Sequence, residues 1–128
     1  MATSDNDLEP RFKRLPLPNQ RDGLTHEFRI GAGEDAIEGT IATGCYEDGS
    51  LGEVFIRMDK QGSQVSGFVD AWAIAVSMLL QAGMPAQDIT NKFKSMSFKP
   101  NGMTGNPDIP IAKSPIDYVC RWLESRYV

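Results

Sequence analysis

The chain has 128 residues, of which 41% are hydrophobic and 23% are charged, values that are ordinary for one soluble globular domain. Its formal net charge of −4 argues against sequence-specific nucleic acid as a partner. No apolar stretch is long enough to span a membrane or to serve as a secretory signal. We therefore expect a cytoplasmic protein without a membrane partner.

The first residues differ in composition from the rest of the chain. MATSDNDLEPRFKRLPLPNQRD (1–22) is polar, contains prolines and has no hydrophobic periodicity, which is typical of an extended or disordered segment. We predict an N-terminal arm over residues 1–22 and a single α+β domain over residues 23–128.

Three strands follow, joined by short turns into an antiparallel meander. Each shows the alternation of apolar and polar residues that a half-buried strand requires: LTHEFRI (24–30), AIEGTIATGCY (36–46) and GEVFIRMD (52–59). The Asp48-Gly49 pair between the second and third strands suits a hairpin turn. Phe55 is an exception to the pattern, because it is apolar but is predicted on the outward face.

Three helices are predicted after the sheet, in a single layer on one of its faces. Between Val65 and Ala82 apolar residues recur every three or four positions on nearly every side. Such a helix is either central and buried or also forms an oligomer interface, and we expect a homo-oligomer, a dimer or higher. A second helix is predicted over 85–94, and a third begins after Ser114, which is a suitable N-cap.

The segment FKPNGMTGNPDIPIAKSPIDY (98–118) contains a long stretch rich in proline, glycine and asparagine before the last helix. Ordered loops of this length inside compact domains tend to be functional. We predict a structured loop over 98–114 that helps to hold a phosphorylated ligand or a partner.

Catalytic chemistry is not indicated. The chain has one histidine, His26, and two distant cysteines, Cys45 and Cys120, in no CxxC pair, so neither a metal site nor a disulfide framework is expected. His26 lies on the apolar face of its strand and is predicted to be a hydrogen-bonded core or edge residue. We expect no enzyme activity, no metal and no cofactor.

Two predicted helix starts resemble anion sites, because free backbone N–H groups and a lysine meet there. KQGS (60–63) leaves the third strand, and IAKSP (111–115) precedes the last helix. The predicted phosphate or nucleotide contacts are Arg57, Lys60, Gly62, Ser63, Lys113 and Ser114. Phe55 and Phe98 are candidates for stacking on a base. In the alternative interpretation, Gly62, Ser63 and Ser114 only cap helices and the two aromatic residues belong to the core or to an interface.

Three longer segments carry a family resemblance: THEFRIG, GCYEDGSLGEVFIRMDKQGSQVSGFVDAWAIAVSMLLQAGMP and KFKSMSFKPNGMTGNPDIPIAKSPIDYVCRWL. From about Arg14 to Trp122 the chain resembles the C-terminal region of adenosylcobalamin-dependent (class II, vitamin B12-dependent) ribonucleotide reductases. In that family the region lies outside the catalytic barrel, whose radical-generating cysteine, redox cysteines and cobalamin site match nothing here. The resemblance implies an ordered appendage domain and not a complete reductase.

Three functions follow as alternatives. The first is a non-catalytic nucleotide- or phosphate-binding accessory module that acts with a separate reductase catalytic subunit. The second is a free-standing, phage-encoded sponge that sequesters a cyclic nucleotide or an ADP-ribose-type immune signal. The third is a purely structural interaction domain.

Overall fold

The computed structural model describes residues 13–59 and 64–128. A three-stranded sheet is followed by helices and a small second sheet, and the predicted α+β class is confirmed. The elements are β1 (Thr25–Ile30), β2 (Ile37–Cys45), β3 (Leu51–Met58), α1 (Gln64–Gln81), α2 (Ala86–Phe93), β4 (Gly102–Asn106), β5 (Ile109–Ala112) and α3 (Pro115–Tyr127), with a short 3-10 turn at Gly33–Asp35. Within the described ranges, no helix is both long enough and apolar enough to cross a membrane.

The first sheet is the predicted antiparallel meander, in the order β1-β2-β3. His26 lies opposite Ile41, and Phe28 lies opposite Gly39. Alternate residues of the strands face the helices and are buried, whereas the other face is largely open to solvent. On that face Glu53 is an exception, because it is buried and forms an ion pair with Arg21 at 2.7 Å. Phe55 lies on the open face and is 57% exposed, as predicted.

Helix α1 runs along β3 and ends at Gln81, two residues before Gly83. Gly83 adopts a left-handed φ of 101°, and the N–H groups of Gly83 and Met84 donate to the carbonyls of Leu80 and Leu79 at 3.0 Å each. This pair of hydrogen bonds is the Schellman motif, which accepts glycine readily because glycine has no Cβ to clash.

The segment predicted as a loop over 98–114 contains a second, two-stranded sheet, β4 with β5. The prediction of a loop was wrong for these residues. The strands are hard to recognise in the sequence because they have only 5 and 4 residues and their burial does not alternate regularly. Glycines at φ 135° and 75°, Gly102 and Gly105, allow the chain to bend within β4. The N–H of Gly31, just after β1, donates to the carbonyl of Met103 at 2.8 Å and places β4 beside the end of β1.

Helix α3 packs beneath β1 and supplies much of the core. Its predicted N-cap is confirmed, because the Ser114 hydroxyl accepts a hydrogen bond from the N–H of Asp117 at 3.0 Å. The apolar residues Ile116, Val119, Cys120 and Leu123 of this helix are buried. The aromatic rings of this helix meet those of β1 and form one wall of the cleft described next.

Candidate functional site

A cavity of about 610 Å³ lies where β1, β2, the β4–β5 turn and α3 meet, which is within the range of small-molecule sites. We call it the His26 cleft. Its lining residues are 26–29, 38–40, 59, 104–108, 118 and 126. The cleft is therefore built partly from the 98–114 segment that the sequence singled out.

Three polar groups from three elements meet at the floor of the cleft. The Nε2 atom of His26 lies 2.8 Å from the Tyr118 hydroxyl, and the Asn106 side-chain amide donates to the same hydroxyl at 3.0 Å. Tyr118 is only 1% exposed, so this hydroxyl is satisfied by the protein. The partners confirm the prediction that His26 is a hydrogen-bonded residue.

Aromatic rings hold this floor in place. The His26 ring stacks on Trp122, with ring centroids 5.0 Å apart, and the Phe28 ring stacks on Tyr118 at 4.9 Å. Tyr118 and Trp122 are four residues apart on α3, so both rings lie on one face of the helix. The side chains of β1 and α3 therefore fix each other through a stacked layer.

Burial controls the protonation of the floor. It lowers the pKa of His26, with a smaller contribution from the positive charge of Arg126. It also raises the pKa of Tyr118, which the hydrogen bond from Asn106 partly opposes. The floor is thus neutral at pH 7, with the Tyr118 hydroxyl placed to donate to His26 and to accept from Asn106.

The rim of the cleft carries charges of both signs. Its carboxylates belong to Glu27, Glu38, Asp59 and Asp108, and its guanidinium groups belong to Arg29 and Arg126. All six side chains are exposed. The carboxylates outnumber the guanidinium groups by four to two, so the rim favours neutral or lightly charged ligands over polyphosphates.

The predicted anion site at the start of α3 is occupied by a side chain of the protein. The buried carboxylate of Asp117 accepts from the N–H of Lys113 at 2.9 Å and from the N–H of Ser95 at 2.7 Å. Arg121 donates to it at 2.9 Å. The Ser114 hydroxyl donates to the Met96 carbonyl at 2.6 Å, so of the two predicted contacts only the exposed Lys113 side chain is available to a ligand.

The structure does not bring the other predicted contacts together into one pocket. Arg57 and Phe55 are exposed on the open face of β3, whereas Phe98 is half-buried against the core. Lys60, Gly62 and Ser63 lie outside the described residues. Phosphate binding by this set, and base stacking by Phe55 and Phe98, stay predictions.

Tyr118, Asn106 and Arg126 were missed by reasoning from the sequence. Tyr118 and Trp122 are four residues apart and share one face of the predicted last helix. When that face packs on β1, the two rings meet the alternate inward residues His26 and Phe28. That spacing was the available signal for Tyr118. Asn106 carried no comparable signal, because its position depends on a hairpin that the sequence did not reveal.

Cys45 and Cys120 are both buried and unpaired. Burial raises the pKa of the Cys120 thiol to about 12, which suppresses the reactive thiolate. Among residues 13–59 and 64–128 no cluster of three or more His, Cys, Asp or Glu side chains is arranged to hold a metal ion.

Comparison with known proteins assigns the class to which this fold belongs. The model of the TSCPD domain matches residues 10–127, nearly the whole chain, and the chain therefore belongs to the TSCPD domain family. No solved structure matches it.

Relatives with this region are vitamin B12-dependent ribonucleotide reductases. The protein of Rhodopirellula baltica is 47% identical over 115 residues, which are 90% of this chain and 10% of the relative. That of Streptomyces coelicolor is 43% identical over 121 residues, 94% of this chain and 12% of the relative. That of Bradyrhizobium diazoefficiens is 38% identical over 117 residues, 91% and 9%. The chain thus spans about a tenth of the length of these curated relatives, and the predicted resemblance is confirmed.

Proposed function

We propose that this chain is a non-catalytic, nucleotide-binding accessory domain that acts with the catalytic chain of a vitamin B12-dependent ribonucleotide reductase. One observation carries the proposal: 37–47% identity to such reductases extends over at least 90% of the chain. A chain that is this similar to a region of a reductase is expected to take part in the same reaction. This role would place the protein in the cytoplasm.

The described side chains support a non-catalytic role. Neither thiol is poised as a nucleophile, because Cys45 and Cys120 are buried. The imidazole of His26 is engaged with the Tyr118 hydroxyl, and Tyr118 is only 1% exposed, so this hydroxyl is not accessible for attack on a substrate. Binding is therefore a better account of the His26 cleft than catalysis.

The His26 cleft is the site that we assign to the nucleotide. Its volume suits a nucleoside, and carboxylates such as Glu27 and Asp108 are good acceptors for ribose hydroxyl groups. The guanidinium groups of Arg29 and Arg126 are suited to one phosphate. Because the rim has an excess of carboxylates, each further phosphate is expected to weaken binding.

Isothermal titration calorimetry with adenosine, AMP, ATP and the other common nucleotides tests the site. Arg126→Ala is expected to weaken binding of a monophosphate by about tenfold, in line with the loss of one charge-assisted hydrogen bond. The matched control is Arg57→Ala, on the open sheet face. Loss of binding in Arg57→Ala and Lys113→Ala, with Arg126→Ala unaffected, would move the ligand to the contacts predicted from the sequence.

A second experiment tests the reductase partnership. The R. baltica reductase would be prepared without its matching region, and this chain would be added in trans. We expect the added chain to bind the truncated enzyme and to raise its activity. A chain that retains a nucleotide but neither binds the reductase nor changes its turnover would instead favour the sequestering alternative.

A further inference from the structure

Helix α1 has two apolar faces, and among the described residues only one of these faces packs into the core. Val69, Ala73, Val76 and Leu80 face the core and are buried. On the opposite side lie Gly67, Ala71, Ile74 and Met78, which we call the outer stripe. A helix that needs a single partner has one such stripe and a polar face opposite it.

The outer stripe is strongly exposed. Ile74 is 56% exposed and Met78 is 68% exposed, and the neighbouring Phe68 is 70% exposed. Asp70 is the only charged residue among the 18 of this helix. Contiguous exposed apolar surface of this kind marks an interaction site.

Gly67 independently indicates that another element packs against the outer stripe. A Cβ added at this position would meet no atom within 4 Å, so packing within one chain does not require glycine. Glycine is less favourable than alanine within a helix, because it loses more conformational freedom on folding. The position is explained if another element approaches the helix closely there.

The spacing of the outer stripe fits a second helix. Its members are separated by 4, 3 and 4 residues, which is the heptad spacing of helices that pack side by side. An antiparallel copy would place Gly67 opposite Met78 of that copy and Ala71 opposite Ile74 of that copy. Each small residue then faces a large one, so the surface is complementary to itself, as a two-fold interface must be.

Among the described helices of one chain, no other helix presents a matching apolar face to solvent. The solvent side of α2 is polar, with Gln87, Asp88, Asn91 and Lys92 exposed, and α3 is largely buried. The outer stripe is uncharged, so it offers no charge pattern that would select a different partner.

We propose that the protein forms a two-fold symmetric dimer in which the outer stripes of two α1 helices pack antiparallel. The proposal is independent of the reductase partnership and of the His26 cleft. It also specifies the surface behind the homo-oligomer that the sequence predicts.

Sedimentation velocity over about 1 to 100 µM protein tests the dimer, because its population depends on concentration. The wild-type chain is expected to sediment as a dimer. Ile74→Glu places a charge in the interface and is expected to weaken dimerisation by at least about a hundredfold. The matched control is Phe55→Glu, at a residue equally exposed but on the open sheet face, which is expected to stay dimeric.

A second variant distinguishes loss of the dimer interface from loss of folding. Gly67→Leu raises helix propensity but fills the position opposite Met78 of the second copy, so we expect a protein at least as stable as wild type that is monomeric. The proposal is overturned by a wild-type monomer at the highest concentration, or by dimers that persist in both Ile74→Glu and Gly67→Leu.

The orientation is tested by oxidative cross-linking. A mixture of the single variants Ala71→Cys and Ile74→Cys is expected to give a covalent heterodimer rapidly, because these positions face each other across an antiparallel pair. Ala71→Cys alone is expected to cross-link slowly. Rapid cross-linking of this single variant would indicate parallel helices and contradict the proposed arrangement.

Discussion

Gly39 shows how one missing side chain shapes the candidate site. It lies opposite Phe28 in the β1–β2 pairing, and a Cβ at this position would be 2.7 Å from the Phe28 Cζ atom. The ring of Phe28 lies across the glycine and stacks on Tyr118. The role of this glycine in the strand is therefore to make room for a ring.

Gly39→Ala is therefore expected to destabilise the protein by about 1–3 kcal/mol, which is typical of overpacking a core. The cost arises because Phe28 is held between β2 and Tyr118 and has little room to move. Urea unfolding followed by circular dichroism measures the effect.

The double variant Gly39→Ala, Phe28→Leu provides the control. Leucine lacks the atoms that would clash, so the double variant should lose less stability than the sum of the two single variants. Simple additivity of the two free-energy changes would show that the ring is not what makes glycine necessary.

β3 is an edge strand of the first sheet, and side chains of α1 form hydrogen bonds with its backbone. The N–H of Val54 donates to the Ser77 hydroxyl at 2.9 Å, and that hydroxyl lies 3.0 Å from the Val54 carbonyl. The Gln81 amide donates to the Gly52 carbonyl at 3.2 Å. A helix beside an edge strand in this way blocks pairing with other chains.

Ser77→Ala is expected to cost about 1–3 kcal/mol in the free energy of unfolding, because it leaves a partly buried N–H without a partner. Thermal unfolding checks this, with Ser125→Ala as the matched control. Ser125 is exposed on α3, and its hydroxyl donates to the Trp122 carbonyl of the same helix, so that variant should gain a few tenths of a kcal/mol from helix propensity. Equal effects of the two substitutions would contradict the role of Ser77 in satisfying the edge of β3.

The sequence predicted the three strands of the meander and the three helices because their hydrophobic periods are regular. It did not predict β4 and β5, whose short strands contain glycine and proline and are held by contacts with distant residues. For the same reason the floor of the His26 cleft was only partly foreseen. His26 could be placed on an inward face from its alternation, but Tyr118 and Asn106 reach it only through tertiary packing.

His26 links the stability of the protein to pH. Burial lowers the pKa of His26 from its usual 6.5 in the folded state, so the unfolded chain binds more protons at mildly acidic pH. Stability should therefore fall as the pH drops below 6.5, and the loss should level off once the pH passes below the folded pKa.

Urea unfolding at several values from about pH 7 to about pH 5.5 measures this slope, above the range where most carboxylates titrate. His26→Gln retains an acceptor for the Tyr118 hydroxyl but cannot gain the charge, so its stability should be nearly constant over the same interval. The chain has a single histidine. If the variant shows the same dependence of stability on pH as the wild type, another titratable group must cause that dependence.

The two buried thiols give this protein a built-in reporter of its own motions. Cys45 is at the end of β2 in the sheet, and Cys120 is in the middle of α3. A thiol reagent can modify each only when its surroundings open. The two labelling rates, read by mass spectrometry, would therefore show whether the sheet and the last helix open together or as separate units, without any probe being introduced.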